Sequence, residues 1–198
     1  MVLKRMTFAE QSFEKQEFLS VSSQGQDISR KEFSNCVFKS CNFNECAFKH
    51  SVFIDCTFFC CNLSNIKVDS CSFRGVFFDD CKLINVVFSA INPFLLSWAF
   101  KKCKIEFCNF GGLKMKHSKF VDSVIRGTDF INVDMEGADF AGSDLQNSKF
   151  HNAILEKANF AGARNYYIDP TCNKLKKAKF SAPEVLSLLA AFDVKVEY

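Results

Sequence analysis

An all-β solenoid, coiled as a square tube, is the fold class this sequence predicts. Three observations predict it. Apolar residues recur at every fifth position, from Phe8 to Phe88 and again from Phe100 to Phe160. Small residues, chiefly Cys, Ser and Ala, stand two places before them. In the second run Phe alternates strictly with a slimmer aliphatic residue.

The period comes first. Of 17 fifth positions in the first run, 16 are apolar and Ser23 is the exception; all 13 in the second are apolar. A chain that is 48% hydrophobic would fill only half by chance. The two runs hold 19 of the 25 Phe. Helices repeat near 3.6 residues and strands near 2, so neither explains a period of five. A tube does. Each five-residue unit forms one side, its centre residue points inward, and the small residue two places earlier turns in near the corner. Coils stack at the inter-strand spacing, and backbone groups pair with the coils above and below.

The alternation sets the number of sides. With four sides, a coil is four units and like stacks on like. Phe100, Phe120, Phe140 and Phe160 share one face, and Phe110, Phe130 and Phe150 lie opposite. Ile105, Ile125 and Leu145 fill a third face, and Met115, Met135 and Leu155 a fourth. Three sides would mix rings and aliphatics in every ladder, against dense packing.

The 11 cysteines follow the same grammar. Cys36, Cys41, Cys46, Cys56, Cys61, Cys71, Cys81, Cys103 and Cys108 occupy the small slot, which Ser51, Ser118, Ala138 and Ala158 fill elsewhere; only Cys60 and Cys172 do not. Cysteine is read as a compact hydrophobe with a weak donor, not as a disulfide or metal ligand.

The segments ADFAGSDLQNSKF (138–150) and CVFKSCNFNECAF (36–48) resemble pentapeptide-repeat proteins, whose unit is a small residue, a polar residue, Leu or Phe, and two variable residues. The resemblance implies a right-handed quadrilateral β-helix. Some thirty units make about 7–8 coils and a rod of about 35 Å. Residues 1–180 form this β-helix, with a degenerate N-terminal cap over 1–32, where Gln11, Gln16, Gln26 and Lys31 replace the small residues.

The frame breaks once, at SAINPFLLSWA (89–99), because Phe88 and Phe100 stand two positions further apart than the five-residue period allows. Either two residues bulge at a corner, with Phe94, Leu95 and Trp98 folded back on the core, or about ten residues leave the tube as a loop. Pro93 cannot donate to the ladder. Residues 181–198 read as a C-terminal α-helical cap. Ser181 and Glu184 have capping-box spacing, with Pro183 in the first turn. Val185, Leu188, Leu189 and Phe192 recur on one helical face, and VKVEY reads as a short strand. The resemblance implies that such a helix closes the rod and often supports a homodimer; a monomeric cap is the alternative.

No enzyme is expected. His50, His117 and His151 sit in outward slots without partners at metal or nucleophile spacing, and no glycine-rich phosphate loop occurs. A filled tube offers no pocket, so neither cofactor nor metal is implied. The N-terminus lacks an apolar h-region and no apolar run approaches a membrane span, so a cytoplasmic protein without membrane partners is expected. Net charge is only +3. Residues 121–145 carry six acids against Arg126, and 101–120 six lysines against Glu106. These opposite belts girdle the rod side by side and screen one another, so an acidic imitation of DNA is weak.

Recognition is left to the exterior. Candidate partner-binding residues are Phe94, Leu95, Leu96 and Trp98 in the break, and Val37, Phe59 and Phe77 on one face, with Val52 and Ile54 beside them. Val185, Leu188, Leu189 and Phe192 are the candidate cap or dimer contacts. Three functions fit. The cysteine-rich early coils, the Ala/Ser-rich later half, the interruption and the helical end resemble the Qnr-type quinolone-resistance proteins, which implies DNA gyrase or topoisomerase IV as partner. A general protein-binding scaffold is the alternative. Direct nucleic-acid binding through the lysine belt is the third, disfavoured because no exposed aromatics interleave with it.

Overall fold

Short strands of two to four residues alternate with corners, and each strand pairs in parallel with the strand one coil away. The computed structural model describes residues 8–194 of this chain. One face is the four-stranded sheet Ser12–Glu14, Glu32–Ser34, Val52–Ile54 and Ser72–Arg74. The next carries six strands, Glu17–Leu19, Val37–Lys39, Thr57–Phe59, Val76–Asp79, Trp98–Lys101 and Lys119–Val121. A third carries Lys82–Ile84, Lys104–Glu106 and Val124–Arg126, and single bridges such as Asn42↔Asn62 and Asp134↔Ile154 continue the ladders elsewhere. Register is four units within each half: Phe38 faces Phe58, and Ile105 faces Ile125. The fold is the expected all-β quadrilateral solenoid.

The backbone dictates this regularity. Val37 donates its N–H to Gln16 O, and Ser40 to Phe59 O, both at 2.9 Å. Repeated around the rod, such bonds satisfy main-chain groups that water cannot reach. Most corners turn through a residue of positive φ two places after the centre, as at Asn35, Asp55, Gly127 and Asn147; after Phe88 a 3₁₀ turn replaces it. Gly, Asn and Asp suit that conformation; Lys15, Cys60 and Phe107 adopt it at a cost of about 1 kcal/mol each.

Inside, like stacks on like. One face holds an unbroken column of Phe18, Phe38, Phe58, Phe78, Phe100, Phe120, Phe140, Phe160 and Phe180. Successive centroids are 4.6–5.2 Å apart, and planes lie within 18° of parallel. In the first half, Phe13, Phe33, Phe53 and Phe73 stack on the adjacent face. In the second half, the other column moves to the opposite face, where Phe110, Phe130 and Phe150 follow Phe88. These rings meet the continuous column edge-on, with Phe110 5.7 Å from Phe120 at 89°.

The break is a corner bulge and not a ten-residue loop, but of the three residues expected to fold back on the core only Trp98 does; Phe94 and Leu95 are exposed. Ser70 donates to Ala90 O, one place beyond the usual step, across the 3₁₀ turn Phe88–Ala90, and Asn92 donates to Cys71 O as Ser72 does to Ser51 O, so the ladder is in register again at 92. Beyond it, Trp98 pairs with Val76 and Phe100 with Phe78, two positions past the four-unit step. The two extra residues are therefore absorbed between Asn92 and Trp98. Asn92 Oδ1 accepts the Phe94 N–H at 3.0 Å, and Leu95 takes φ 56°. Ile91 fills the small slot, but the centre position in line with Phe73 falls to Pro93, which is exposed, so the core lacks a centre side chain here. Trp98, in a small slot, supplies the bulk. Its indole lies 6.0 Å from Phe73, 5.2 Å from Phe88, 5.3 Å from Phe100 and 5.7 Å from Phe110. It thus joins the two arrangements of phenyl columns.

At both ends the ladder runs through units that depart from the repeat pattern. The pattern fades in sequence after Phe160, and one more coil follows, to Phe180. Asn159 and Phe160 pair with Lys179 and Phe180, and Leu155 donates to Lys174 O. Tyr166 and Ile168 are buried there in place of centre residues. At the other end, Ser12–Glu14 and Glu17–Leu19 are already in the ladder, although Gln11 and Gln16 occupy the slots. The side chains of Gln11 and Lys31 donate to backbone carbonyls of Arg30 and Glu10 at this rim.

The closing helix, Glu184–Phe192, is a 3₁₀ helix instead of an α-helix. The capping box does not form: Ser181 Oγ accepts from Gly162 N–H at 3.0 Å, and the cap position is Pro183. With three residues per turn, the four expected helix residues divide between two rows. Val185 and Leu188 are half-buried, and Leu188 packs on the core; Leu189 and Phe192 are exposed. Of VKVEY, all but Val194 lies outside the described residues.

Truncating Phe58, in the middle of the long column, is expected to cost about 3–5 kcal/mol as Phe58→Ala, and distinctly less as Phe58→Leu. Urea denaturation followed by circular dichroism checks both.

Candidate interaction surface

The small slots explain the cysteines. All eleven thiols are free. Cys36, Cys56 and Cys81 place Sγ 3.3–3.4 Å from the carbonyls of Phe13, Phe33 and Phe58 in the coil before. Ser51 Oγ and Ser148 Oγ donate to Ile28 O and Ile125 O at 2.9 Å in the same way. Cys and Ser are therefore interchangeable weak and strong donors to one backbone acceptor. Burial pushes the Cys46 thiol up to about 11 and those of Cys56 and Cys108 to about 12, which suits inert packing groups. Among the described residues no group of His, Cys, Asp or Glu could hold a metal, and His50, His117 and His151 all face solvent. No helix among them is long and apolar enough to cross a membrane.

Charge on the exterior is largely cancelled in place. Lys114 and Lys119 sit directly beside Asp134 and Asp139 on neighbouring coils. Lys116 reaches Asp134 at 3.4 Å and Glu136 at 2.9 Å, and Lys157 reaches Glu136 from the other side at 2.5 Å. Hydrogen bonds from Lys157 and then Lys116 hold the Glu136 carboxyl down at about 2. Asp144, read from sequence as an outward charge, is buried. Burial pushes its carboxyl up, but hydrogen bonds from Asn165 and Arg126 outweigh this and hold it below the ordinary value. The acidic belt is thus gripped by cations of its own chain.

Exposed apolar side chains are spread around the rod: Leu19 and Phe59 on the six-stranded face, Phe94 and Leu95 at the bulge, and Val87, Phe107 and Tyr167 away from both of these sheets. On the six-stranded face, Phe59 is 43% exposed, and Val37 and Phe77 are half-buried. Sequence reasoning missed Leu19, 66% exposed, and Ala99 and Val121 on the same face, although following the ladder from Phe59 and Phe77 reaches them. Val52 and Ile54 are half-buried on the adjoining face. Of the break residues, Phe94 and Leu95 are 61% and 64% exposed, whereas Leu96 packs partly on the core. Trp98 is 4% exposed, so it is a core residue and not a partner contact. The Arg74 guanidinium lies over the Phe94 ring, 5.3 Å from its centroid, and steadies the knuckle. The structure brings Phe94, Leu95 and Phe77 towards one edge; Leu189 and Phe192 lie apart, at the rod's end.

The sequence matches the family model for pentapeptide repeats in eight copies, over residues 32–66, 108–147 and 134–164. No curated protein matches it. Among solved structures, two trypsin-treated variants of QnrB1, a plasmid-mediated fluoroquinolone resistance protein, are similar, with TM-scores of 0.70 and 0.65. Both are 18% identical over 94% of this chain and 90% of theirs. HetL, a pentapeptide repeat protein involved in heterocyst differentiation regulation from the cyanobacterium Nostoc, gives a TM-score of 0.48 at 12% identity, over 86% of this chain and 87% of that one. At these identities the likeness is one of fold.

The Glu136 cluster sets a pH dependence. A carboxyl lowered from 4.5 to about 2 on folding contributes stability above pH 4.5, and this is lost as pH falls towards 2. The wild-type chain is therefore expected to melt above Glu136→Gln at neutral pH, with the gap closing between pH 4.5 and 2 in scanning calorimetry.

Proposed function

The chain belongs to the pentapeptide-repeat family, and from that premise we propose that it works as a non-enzymatic protein-binding rod whose partner is a type II topoisomerase, DNA gyrase or topoisomerase IV. The observation that carries the binding-rod reading is the filled interior. Phenyl columns, Met, Leu and Ile occupy the core along its whole length, so recognition is left to the exterior. Support for the topoisomerase comes from the likeness in fold to QnrB1, a fluoroquinolone resistance protein.

The mechanism differs from imitation of DNA by charge. Neutralised carboxylates such as Glu136 and Asp144 leave little axial field. Binding rests on exposed apolar side chains, with Phe94 and Leu95 at the bulge as projecting contacts. Removing residues 89–98 as a block would not isolate that role, because Ile91 and Trp98 are core residues and Asn92 is in the ladder. A narrower change does. Phe94→Ser with Leu95→Gly removes the exposed apolar groups and relieves the positive φ at 95.

In a supercoiling assay with purified gyrase and a quinolone, the wild-type chain is expected to restore supercoiling. The Phe94→Ser/Leu95→Gly variant is expected to restore it roughly tenfold less well at equal concentration. No rescue and no binding with either gyrase or topoisomerase IV removes the topoisomerase reading.

A further inference from the structure

One rung of the backbone ladder is missing. On the face opposite the six-stranded sheet, Asp27 pairs with Ala47, Ala47 with Lys67, and Val87 with Asn109, but Lys67 does not pair with Val87. The neighbouring rungs show what is lost. Lys67 N–H donates to Cys46 O at 2.9 Å, and Phe48 N–H to Lys67 O at 2.8 Å. One coil further, the same pattern would join Val87 N–H to Ile66 O and Val68 N–H to Val87 O. Neither bond forms, and Val68 N–H, Val87 N–H and Ile66 O have no other hydrogen-bond partner among the described residues. The 3₁₀ turn Phe88–Ala90 accounts for it. That turn brings Ala90 O to Ser70 N–H at 2.8 Å, where a regular coil would offer the carbonyl of the residue before.

The coils part only briefly. Asn65 N–H reaches Ile84 O, and Ser70 N–H reaches Ala90 O, both at 2.8 Å, so the gap is closed at either end. A cavity of about 230 Å³ fills it, lined by Ile66, Lys67, Val68, Asp69, Val87 and Ala90. Ile66 and Val68 are buried and make its floor apolar. The direction of the ladder points Val68 N–H into the gap from one coil and Val87 N–H from the other, with Ile66 O on the first wall. A ligand that pairs these groups replaces water at two donors and one acceptor, and covers apolar wall at the same time. Such pairing needs an acceptor and a donor in one small group. A carboxamide has both. A carboxylate has only acceptors and would face the Ile66 carbonyl oxygen. Lys67 and Asp69 stand exposed on the rim with opposite charge, so neither sign of ligand is selected.

We infer that this gap is a binding site for a neutral carboxamide with a small aliphatic group. The amide oxygen accepts from Val68 or Val87 N–H, the amide nitrogen donates to Ile66 O, and the aliphatic part covers Ile66 and Val68. The site goes beyond the protein-binding reading and does not depend on the topoisomerase. It lies on a different face from Phe59 and Phe77 and uses neither Phe94 nor Leu95.

Amide proton–nitrogen correlation spectra of the full isotope-labelled chain test it. Without ligand, the Val68 and Val87 amides are expected to exchange with solvent roughly a hundredfold faster than those of Phe48 and Lys67. Isobutyramide is then expected to shift both signals saturably, with a dissociation constant on the order of 10 mM, as suits so small a ligand. Isobutyrate, and the dimethylated amide that has no N–H to donate, should bind at least roughly tenfold more weakly. Ala90→Leu, which puts a longer side chain at the mouth of the gap, should weaken isobutyramide roughly tenfold, and Phe94→Ser should leave it unchanged. Melting curves identify a variant that fails to fold; Ala90→Val then replaces Ala90→Leu, with a smaller loss expected. Equal protection of Val68 and Val87 with their neighbours, no saturable shift, equal binding of isobutyrate or the dimethylated amide, or undiminished binding to the folded Ala90 variant overturns the inference. A capped tripeptide with a central Gln, compared with the same peptide carrying Glu, decides the source. A shift with the Gln peptide alone assigns the site to a side chain of a partner protein, and no shift with it assigns the site to a free small amide.

Discussion

Everything in this molecule depends on the parallel backbone ladder between coils. A buried N–H or C=O without a partner costs a substantial fraction of a domain's net stability. In a tube one unit wide, the only partners are one coil above and one below. Each coil must therefore match the length of its neighbours, and the constant four-unit register follows. Side-chain order is inherited from it. When Phe18 lies over Phe38 and Phe38 over Phe58, stacking comes with the register. The small slot has the same origin, since a larger group there would press on the carbonyl that Cys81 and Ser51 approach.

The ladder also explains how the chain tolerates its irregular segment. Two surplus residues cannot be spread over several coils without breaking many hydrogen bonds, so they are expelled at one corner between Asn92 and Trp98. That expulsion empties a core position, and Trp98 fills it from a slot that elsewhere takes Cys or Ala. The same event lifts Phe94 and Leu95 into solvent, with Phe94 under the Arg74 guanidinium. A packing repair and an exposed apolar knuckle thus arise together, where the phenyl column of the four-stranded face ends at Phe73.

Much of this was legible in the sequence, because period and side-chain volume are local signals. The four faces, their ring and aliphatic columns and the role of cysteine follow from counting by units and by coils. What was not legible depends on energies that compete at a distance. Bulge and loop place the same apolar residues in SAINPFLLSWA, and only the continued bonds of Ala90 and Asn92 separate them. Tyr166 and Ile168 enter the core away from the fifth positions, so the last coil is hidden from the count. The helix was misread because Val185, Leu188, Leu189 and Phe192 suit an α-helical period, while the backbone winds more tightly, as a 3₁₀ helix. Asp144 looked like its neighbours in the acidic belt; only Arg126 and Asn165, brought from the adjoining coils, allow it to be buried.

The register across the bulge is the most direct point of attack. Nuclear Overhauser contacts between ring protons, in a chain with selectively labelled Phe and Trp, report it in solution. Phe78 should contact Phe100, across the bulge, at the 4.7 Å centroid spacing of the long column, and Trp98 should contact Phe88. A Phe78 ring stacked instead on Trp98, at the uninterrupted four-unit step, or with no contact to Phe100, would contradict the continuous column and the square rod built around it.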